Sequence, residues 1–214
     1  MQDCVEVTGI VLKADSIREY DKRVVLLTRE RGKIALFARG AKRPNSRFMA
    51  ACTPFVFGTF LIWEGRSSYG LQDVKVSNYF EALRTDYEGA CYGMYFLELC
   101  DYCTRENNDE KETLRLLYQS LRALCHGGFD RRLVRCVFEL RLVAVNGEFP
   151  GMPEGKYEEG TRYAVSFIVE TPIEKLYTFT VGESVLQELV QIAGRCRARF
   201  LPGQFKSLEV LKTL

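Results

Sequence analysis

A single histidine, His126, occurs in 214 residues, and that scarcity removes most acid–base and triad chemistry, for which imidazole is the usual proton carrier. Other active-site signatures are missing as well: there is no GxxxxGK(S/T) phosphate loop, no GxSxG elbow and no HExxH pair. A non-catalytic protein without a cofactor is expected. No stretch approaches the roughly 18 uninterrupted apolar residues of a spanning helix. Met1 to Thr8, which includes Asp3 and Glu6, lacks the basic start and apolar run of a secretory signal. The expectation is a cytoplasmic protein with no membrane partner.

Metal-ligand spacing is equally scarce. Of eight cysteines, Cys100 and Cys103 form a CxxC pair and the others are scattered singly, so the second pair that a structural zinc needs is absent. Positions three apart on a helix share a face, and two thiols packed inward account for the pair. A redox role would require the start of a helix and a lowered thiol pKa, whereas this pair falls late in a helical pattern. The cysteines read as reduced thiols and the metal expectation is none. His126 suits the C-terminal end of a helix, where a cation is favourable.

What is present is an ordinary globular balance, 47% hydrophobic and 27% charged, in a length that fits one large domain or two small ones. The net charge of +2 says little, but its distribution is uneven. Residues 1–80 hold 13 Lys and Arg against 8 Asp and Glu, a net of +5, and residues 81–214 hold 17 against 20, a net of −3. A basic front half implies that this half alone meets a polyanion.

The first eighty residues read as short strands separated by turns. VEVTGIVLK alternates, KRVVLLT at 22–28 leads through Arg31 and Gly32 into KIALFAR, a further strand spans 55–63 with Gly58 suited to a bend, and a fifth runs from about 69 to 79. Five short strands bent by glycine favour a closed barrel of the oligonucleotide-binding type. After Phe80 the period becomes helical. Leu83, Tyr87, Cys91, Met94 and Leu97 predict one helix, and Leu114, Leu117, Leu121 and Leu124 a second. Asp130 caps a third that is apolar on most sides and therefore central. A segment at about 147–182, broken by Pro150, Gly151, Pro153 and Gly155, reads as an insert in which YAVSFIV is a small β element. A long last helix spans about 183–199. The fold class is thus α+β, with an oligonucleotide-binding domain over 1–80 and a helical domain over 81–214.

The residues that point to chemistry lie between Arg29 and Arg47: Arg29, Arg31, Lys33, Arg39, Lys42, Arg43 and Arg47, with Glu30 as the one acidic side chain. Four of them flank Gly40, Pro44, Asn45 and Ser46 in a loop. Basic side chains on a loop overhanging a barrel can follow a phosphate backbone, and Phe37 or Phe48 could offer stacking faces. The competing explanation is a solvated basic loop, with Phe37 and Trp63 in the core. An RNA-binding barrel and a pure interaction adaptor are the alternative functions, and competition between single-stranded DNA and matched RNA separates the first from a DNA binder.

The order TGIVLK at 8–13, then YDKRVVLLTRERGKIALFARGAKRPNSRF at 20–48, resembles the N-terminal region of the RecO family of bacterial recombination mediators. Thr28, the turn to Gly32 and Lys33, and Arg39-Gly40 with Lys42, Arg43 and Ser46 carry it. FELRLV at 138–143, Gly147 and KSLEVL at 206–211 follow in suitable order. The resemblance implies a barrel followed by a helical domain without catalytic activity. It also implies binding of single- and double-stranded DNA, annealing of complementary strands, and action with RecR to load RecA onto DNA coated by single-strand-DNA-binding protein. Many relatives carry four zinc-ligand cysteines in the insert, and residues 147–182 contain none; either packing of the small β element holds the insert together in their place or the insert does another job. The expected DNA contacts are Arg39, Lys42, Arg43 and Arg47, with Lys13, Arg31 and Lys33 extending the track. The acidic, hydrophobic C-terminal tail of single-strand-DNA-binding protein would need an apolar groove edged by arginines, for which Arg131, Arg132 and Arg135 are the candidates and Arg195 and Arg199 the reserves.

Overall fold

The computed structural model describes residues 4–66 and 68–214. Strands β1 (Cys4–Ser16), β2 (Lys22–Thr28), β3 (Gly32–Ala38), β4 (Phe57–Glu64) and β5 (Tyr69–Asn78) come first, with a one-turn helix α1 (Phe48–Ala51) before β4. They close into a barrel in the order β1-β2-β3-β5-β4, with β3 and β5 parallel. This is the oligonucleotide-binding-type barrel, and with the helices that follow the fold is α+β. The interior is filled by Val7, Val11, Val24, Leu26, Ile34, Leu36, Phe60 and Ile62, the inward set of each alternating strand. Gly9 and Gly58 face each other across β1 and β4. A Cβ on either would stand 2.4 Å from the carbonyl oxygen of Leu27 or Lys75, so glycine is what permits this close approach, and the β4–β5 register shifts at Gly58 as the expected bend requires.

The helices are α2 (Ala82–Thr85), α3 (Tyr87–Cys103), α4 (Lys111–Cys125), α5 (Arg131–Val145), α6 (Glu159–Glu170), α7 (Glu183–Phe200) and α8 (Lys206–Leu211), with a 3-10 turn at Ile173–Lys175. The chain divides into two compact units. One contains 1–85 and 100–114, the other 86–99 and 115–214. The barrel unit thus includes the last turn of α3, the first turn of α4 and the strap between them.

In the barrel unit the strap lies along the β2–β3 hairpin. The amide of Lys33 donates to the Arg105 carbonyl at 3.0 Å, and the amide of Asn107 donates to the Arg31 carbonyl at 2.9 Å. Gly32, at φ +63°, makes the hairpin turn, and a Cβ there would stand 2.3 Å from the Arg105 carbonyl oxygen. Thr28 completes the turn, its hydroxyl donating to the Gly32 carbonyl and accepting from the Arg31 amide.

In the helical unit α5 is buried along most of its length, packed by α6 and α7, and Asp130 accepts a hydrogen bond from the Arg132 amide at its N-terminus, as the sequence predicts. Two expectations are corrected. The segment read as a β element is helix α6. Thr161, Ala164, Val165 and Ile168 are its buried residues, a spacing of three, four and seven that seats one face on the neighbouring helices, and that packing outweighs the β-propensity of YAVSFIV. Secondly, the stripe through Leu83, Tyr87, Cys91, Met94 and Leu97 does not form one helix. Leu83 lies in α2, while Tyr87 is 71% and Met94 41% exposed. Asp86 accepts from the Gly89 amide and restarts the helix, and Tyr95, Phe96 and Leu99 turn inward instead.

Candidate nucleic-acid interface

The basic loop after β3 is pinned to the barrel by its backbone. Gly40, at φ +67°, donates its amide to Asp21 Oδ1 at 2.8 Å, Ala41 is buried, and the Lys42 amide donates to the Tyr20 carbonyl at 2.9 Å. The Arg43 amide closes a turn on the Gly40 carbonyl, and the Ser46 amide a second on Arg43. The loop backbone is therefore preorganised, and its cations project from fixed points.

Those cations differ in what they touch. Arg39 and Lys42 are exposed, and among the described residues their side chains have no hydrogen-bond, ion-pair or ring partner. Arg43 lies over the Tyr20 ring at 5.5 Å. Arg47 lies over Phe48 at 4.9 Å, donates to the Gln72 carbonyl at 2.9 Å and pairs with Asp73 at 3.1 Å. Of the residues expected to extend the track, Lys13 pairs with Asp15 at 3.3 Å and Arg31 with Glu64 at 3.4 Å. Lys33 is only 21% exposed at its side chain and holds both the carbonyl and the carboxylate of Asp101. Lys33 therefore fastens the strap as well as carrying charge.

Lys13, Arg23, Lys33 and Arg105, with Asp101 and Glu106, line an open groove of about 360 Å³ on the outer face of β1, β2 and β3. Glu106 accepts from the Tyr69 hydroxyl at 2.7 Å; burial, followed by that carboxylate, pushes the Tyr69 phenol up to about 12. Arg23 and Arg105 were not singled out by sequence. Arg23 shares strand parity with Val25, which reads as apolar, and Arg105 reaches the barrel from far along the chain. Phe37, expected in the core, is 38% exposed because Ile34, Leu36 and Ala38 take the inward positions of β3. Trp63, likewise expected in the core, is half-buried on the outer face of β4, its indole over Gly70.

In the helical unit the three candidate arginines are all ion-paired. Arg131 holds Asp86 and Glu88, and Arg132 holds Asp130 and Glu183. Arg135 donates to Glu139 at 2.9 Å and lies over the Tyr95 ring at 5.4 Å. Glu139 is 1% exposed and also accepts from the Tyr95 hydroxyl at 2.5 Å; burial and this carboxylate drive the Tyr95 phenol far above its ordinary range. Of the reserves, Arg195 reaches the Tyr157 hydroxyl at 3.5 Å and Arg199 lies over Phe200. Cys100 is fully buried, which holds its thiol well above the usual range, and Cys103 is half-buried with its Sγ against the Cys100 carbonyl. Among the described residues no three His, Cys, Asp or Glu side chains gather as metal ligands would, and no helix is long and apolar enough to cross a membrane.

Residues 1–80 match the family described as Recombination protein O N terminal, and residues 84–152 the one described as Recombination protein O C terminal. The DNA repair protein RecO of Bacillus pumilus (strain SAFR-032) is 38% identical over 72% of this chain and 63% of its own length. That of Exiguobacterium sp. (strain ATCC BAA-1283 / AT1b) is 37% identical over 68% and 58%, so these two matches span less than two thirds of the relatives' lengths. The DNA repair protein RecO of Clostridium novyi (strain NT) is 30% identical over 96% of this chain and 93% of its own.

Proposed function

Because the chain belongs to the RecO family of DNA repair proteins, we propose that it is a recombination mediator that binds single- and double-stranded DNA through its basic loop and anneals complementary strands without catalysis. With RecR it helps load RecA onto DNA coated by single-strand-DNA-binding protein, in the bacterial cytoplasm. In this reading 1–80 is the DNA-binding domain and 81–214 the helical domain that receives partners. The observation that carries it is the pinned loop with Arg39 and Lys42 exposed and without an intramolecular partner. Two strands repel along their whole length, and a fixed cationic surface that displaces their counterions lowers that barrier with no bond made or broken. Arg43, Arg47, Lys13, Arg31 and Lys33 extend the phosphate track once their present partners are exchanged for phosphate. The acidic tail of single-strand-DNA-binding protein docks at Arg131, Arg132 and Arg135 by competing with the carboxylates they now hold.

The test is strand annealing with and without single-strand-DNA-binding protein. The expected result is faster annealing of complementary strands in both, with a rate that falls as salt rises. No acceleration at low salt overturns the reading. Preference for matched RNA over single-stranded DNA would move the protein to the RNA-binding class.

A further inference from the structure

One row of the barrel's outer face is built differently from the rest. The strand register runs Arg23 on β2, Phe37 on β3, Gly70 on β5 and Trp63 on β4, each opposite the next. Phe37 is exposed to 38% at a position where a solvated face would carry a polar residue. Arg23 stands directly across from it, a separation of about 5 Å between the two backbones. Arg39 follows two residues later, in the turn just past the end of β3. Both arginines are exposed, and neither has a side-chain partner among the described residues. An exposed apolar ring with one partnerless guanidinium across from it and another two residues along the chain makes little sense as packing. Its chemistry matches a base flanked by its own phosphates.

We infer that Phe37 is a stacking platform for an unpaired nucleobase of single-stranded DNA, with Arg23 across from it and Arg39 past the strand end taking neighbouring phosphates. This rests on the DNA-binding reading above and adds what the loop lacks. Phosphate contacts are blind to whether a strand is paired, whereas a base can lie on a ring only after it has left its partner. The platform thus favours single strands over duplex, in addition to the loop's binding of both. It also holds bases open for pairing when a complementary strand arrives.

The experiment compares three probes of equal length, an oligo-dT strand, an abasic strand with the same phosphates, and a duplex, against the full chain and three variants. Phe37→Ala and Phe37→Leu remove the π-face, and leucine retains the apolar bulk so that packing is kept; Phe37→Tyr retains the ring. Stacking on an aromatic side chain corresponds to roughly 5- to 150-fold in affinity per base by truncation. Phe37→Ala and Phe37→Leu should both weaken oligo-dT binding by about that factor and leave the abasic strand and duplex unchanged within about twofold. Phe37→Tyr should bind all three like the parent, and the salt dependence should be the same in every variant. Emission from Trp63, the sole tryptophan, reports that each variant is folded. If Phe37→Leu binds oligo-dT as the parent does, or loses affinity for the abasic strand equally, the platform is overturned while the DNA-binding reading stands. If the parent binds none of the three probes, both fall.

Discussion

At the scale of single residues, equal charges do unequal work. Arg39 and Lys42 bring whole positive charges to the loop surface, whereas Arg47 is already shared with Asp73 and the Gln72 carbonyl. Each phosphate contact to a single strand contributes about 0.7 to the slope of log affinity against log salt. The double variant Arg39→Ala/Lys42→Ala should therefore flatten that slope by about 1.4, alike for all sequences, and adding Arg43→Ala and Arg47→Ala should bring the change to at most about 3. Arg47→Ala alone should do less than Arg39→Ala. Melting should be unchanged within about 0.5 kcal/mol, and a normal melt with an unaltered slope would remove the loop from the interface. Arg135 differs in kind. It is the counter-charge of the buried Glu139, so Arg135→Met should destabilise the fold by about 3 kcal/mol, and Arg135→Met/Glu139→Gln should recover most of it, because glutamine keeps an acceptor for Tyr95 without the charge. Denaturant midpoints decide this, and equal losses in single and double variants would refute it. The basic residues themselves were legible in the sequence. Their partners were not, because Asp73 and Glu183 reach Arg47 and Arg132 only through the fold.

At the scale of elements, what is local was readable and what depends on neighbours was not. The start of α5 is set by Asp130, whose carboxylate accepts from the Arg132 amide two residues on. Hydrogen bonds from the Arg132 side chain, the largest influence, hold that carboxyl below its usual range. The folded state therefore binds this proton less readily than the unfolded chain. The stabilisation is complete above the ordinary carboxylate pKa and disappears as pH falls through the lowered folded value. Asp130→Ala should cost about 1 kcal/mol near neutrality, with the gap to the parent closing in acid, and Asp130→Asn should keep the cap but lose the pH dependence. Thermal melts across pH 2 to 7 would contradict this if the Asp130→Ala gap were constant. Barrel strands were equally legible, since alternation is a property of neighbouring residues. Helix α6 was not: YAVSFIV satisfies both periods, and only the surface offered by α5 and α7 selects the helical one. Arg141, which donates to the Ile168 and Val169 carbonyls at the end of α6, fixes that choice from another element.

At the scale of the whole molecule, the chain enters the helical unit at residue 86, returns to the barrel for 100–114 and leaves it again. The composition shift after residue 80 gave no sign of this return, since Arg105 and Asp101 look like any other polar helix-end residues. The strap meets the hairpin at Gly32, where an added methyl group would face both a left-handed φ and the Arg105 carbonyl. Gly32→Ala should therefore destabilise the barrel by more than about 1 to 2 kcal/mol, the conformational cost alone, and speed amide exchange at Lys33 and Asn107. Exchange at those two amides unchanged from the parent would show that the turn tolerates the substitution. The same strap bears on how the protein is made. Val25 and Leu27 are buried although their strand parity turns them out of the barrel, on the face that the strap follows. The last barrel strand ends at Asn78, and a ribosome adding about 5 to 20 residues per second needs roughly 2 to 7 s more to deliver residue 114. For that interval the newborn barrel has all its strands and an unsealed greasy flank, which makes it a natural client for a holding chaperone at the tunnel exit.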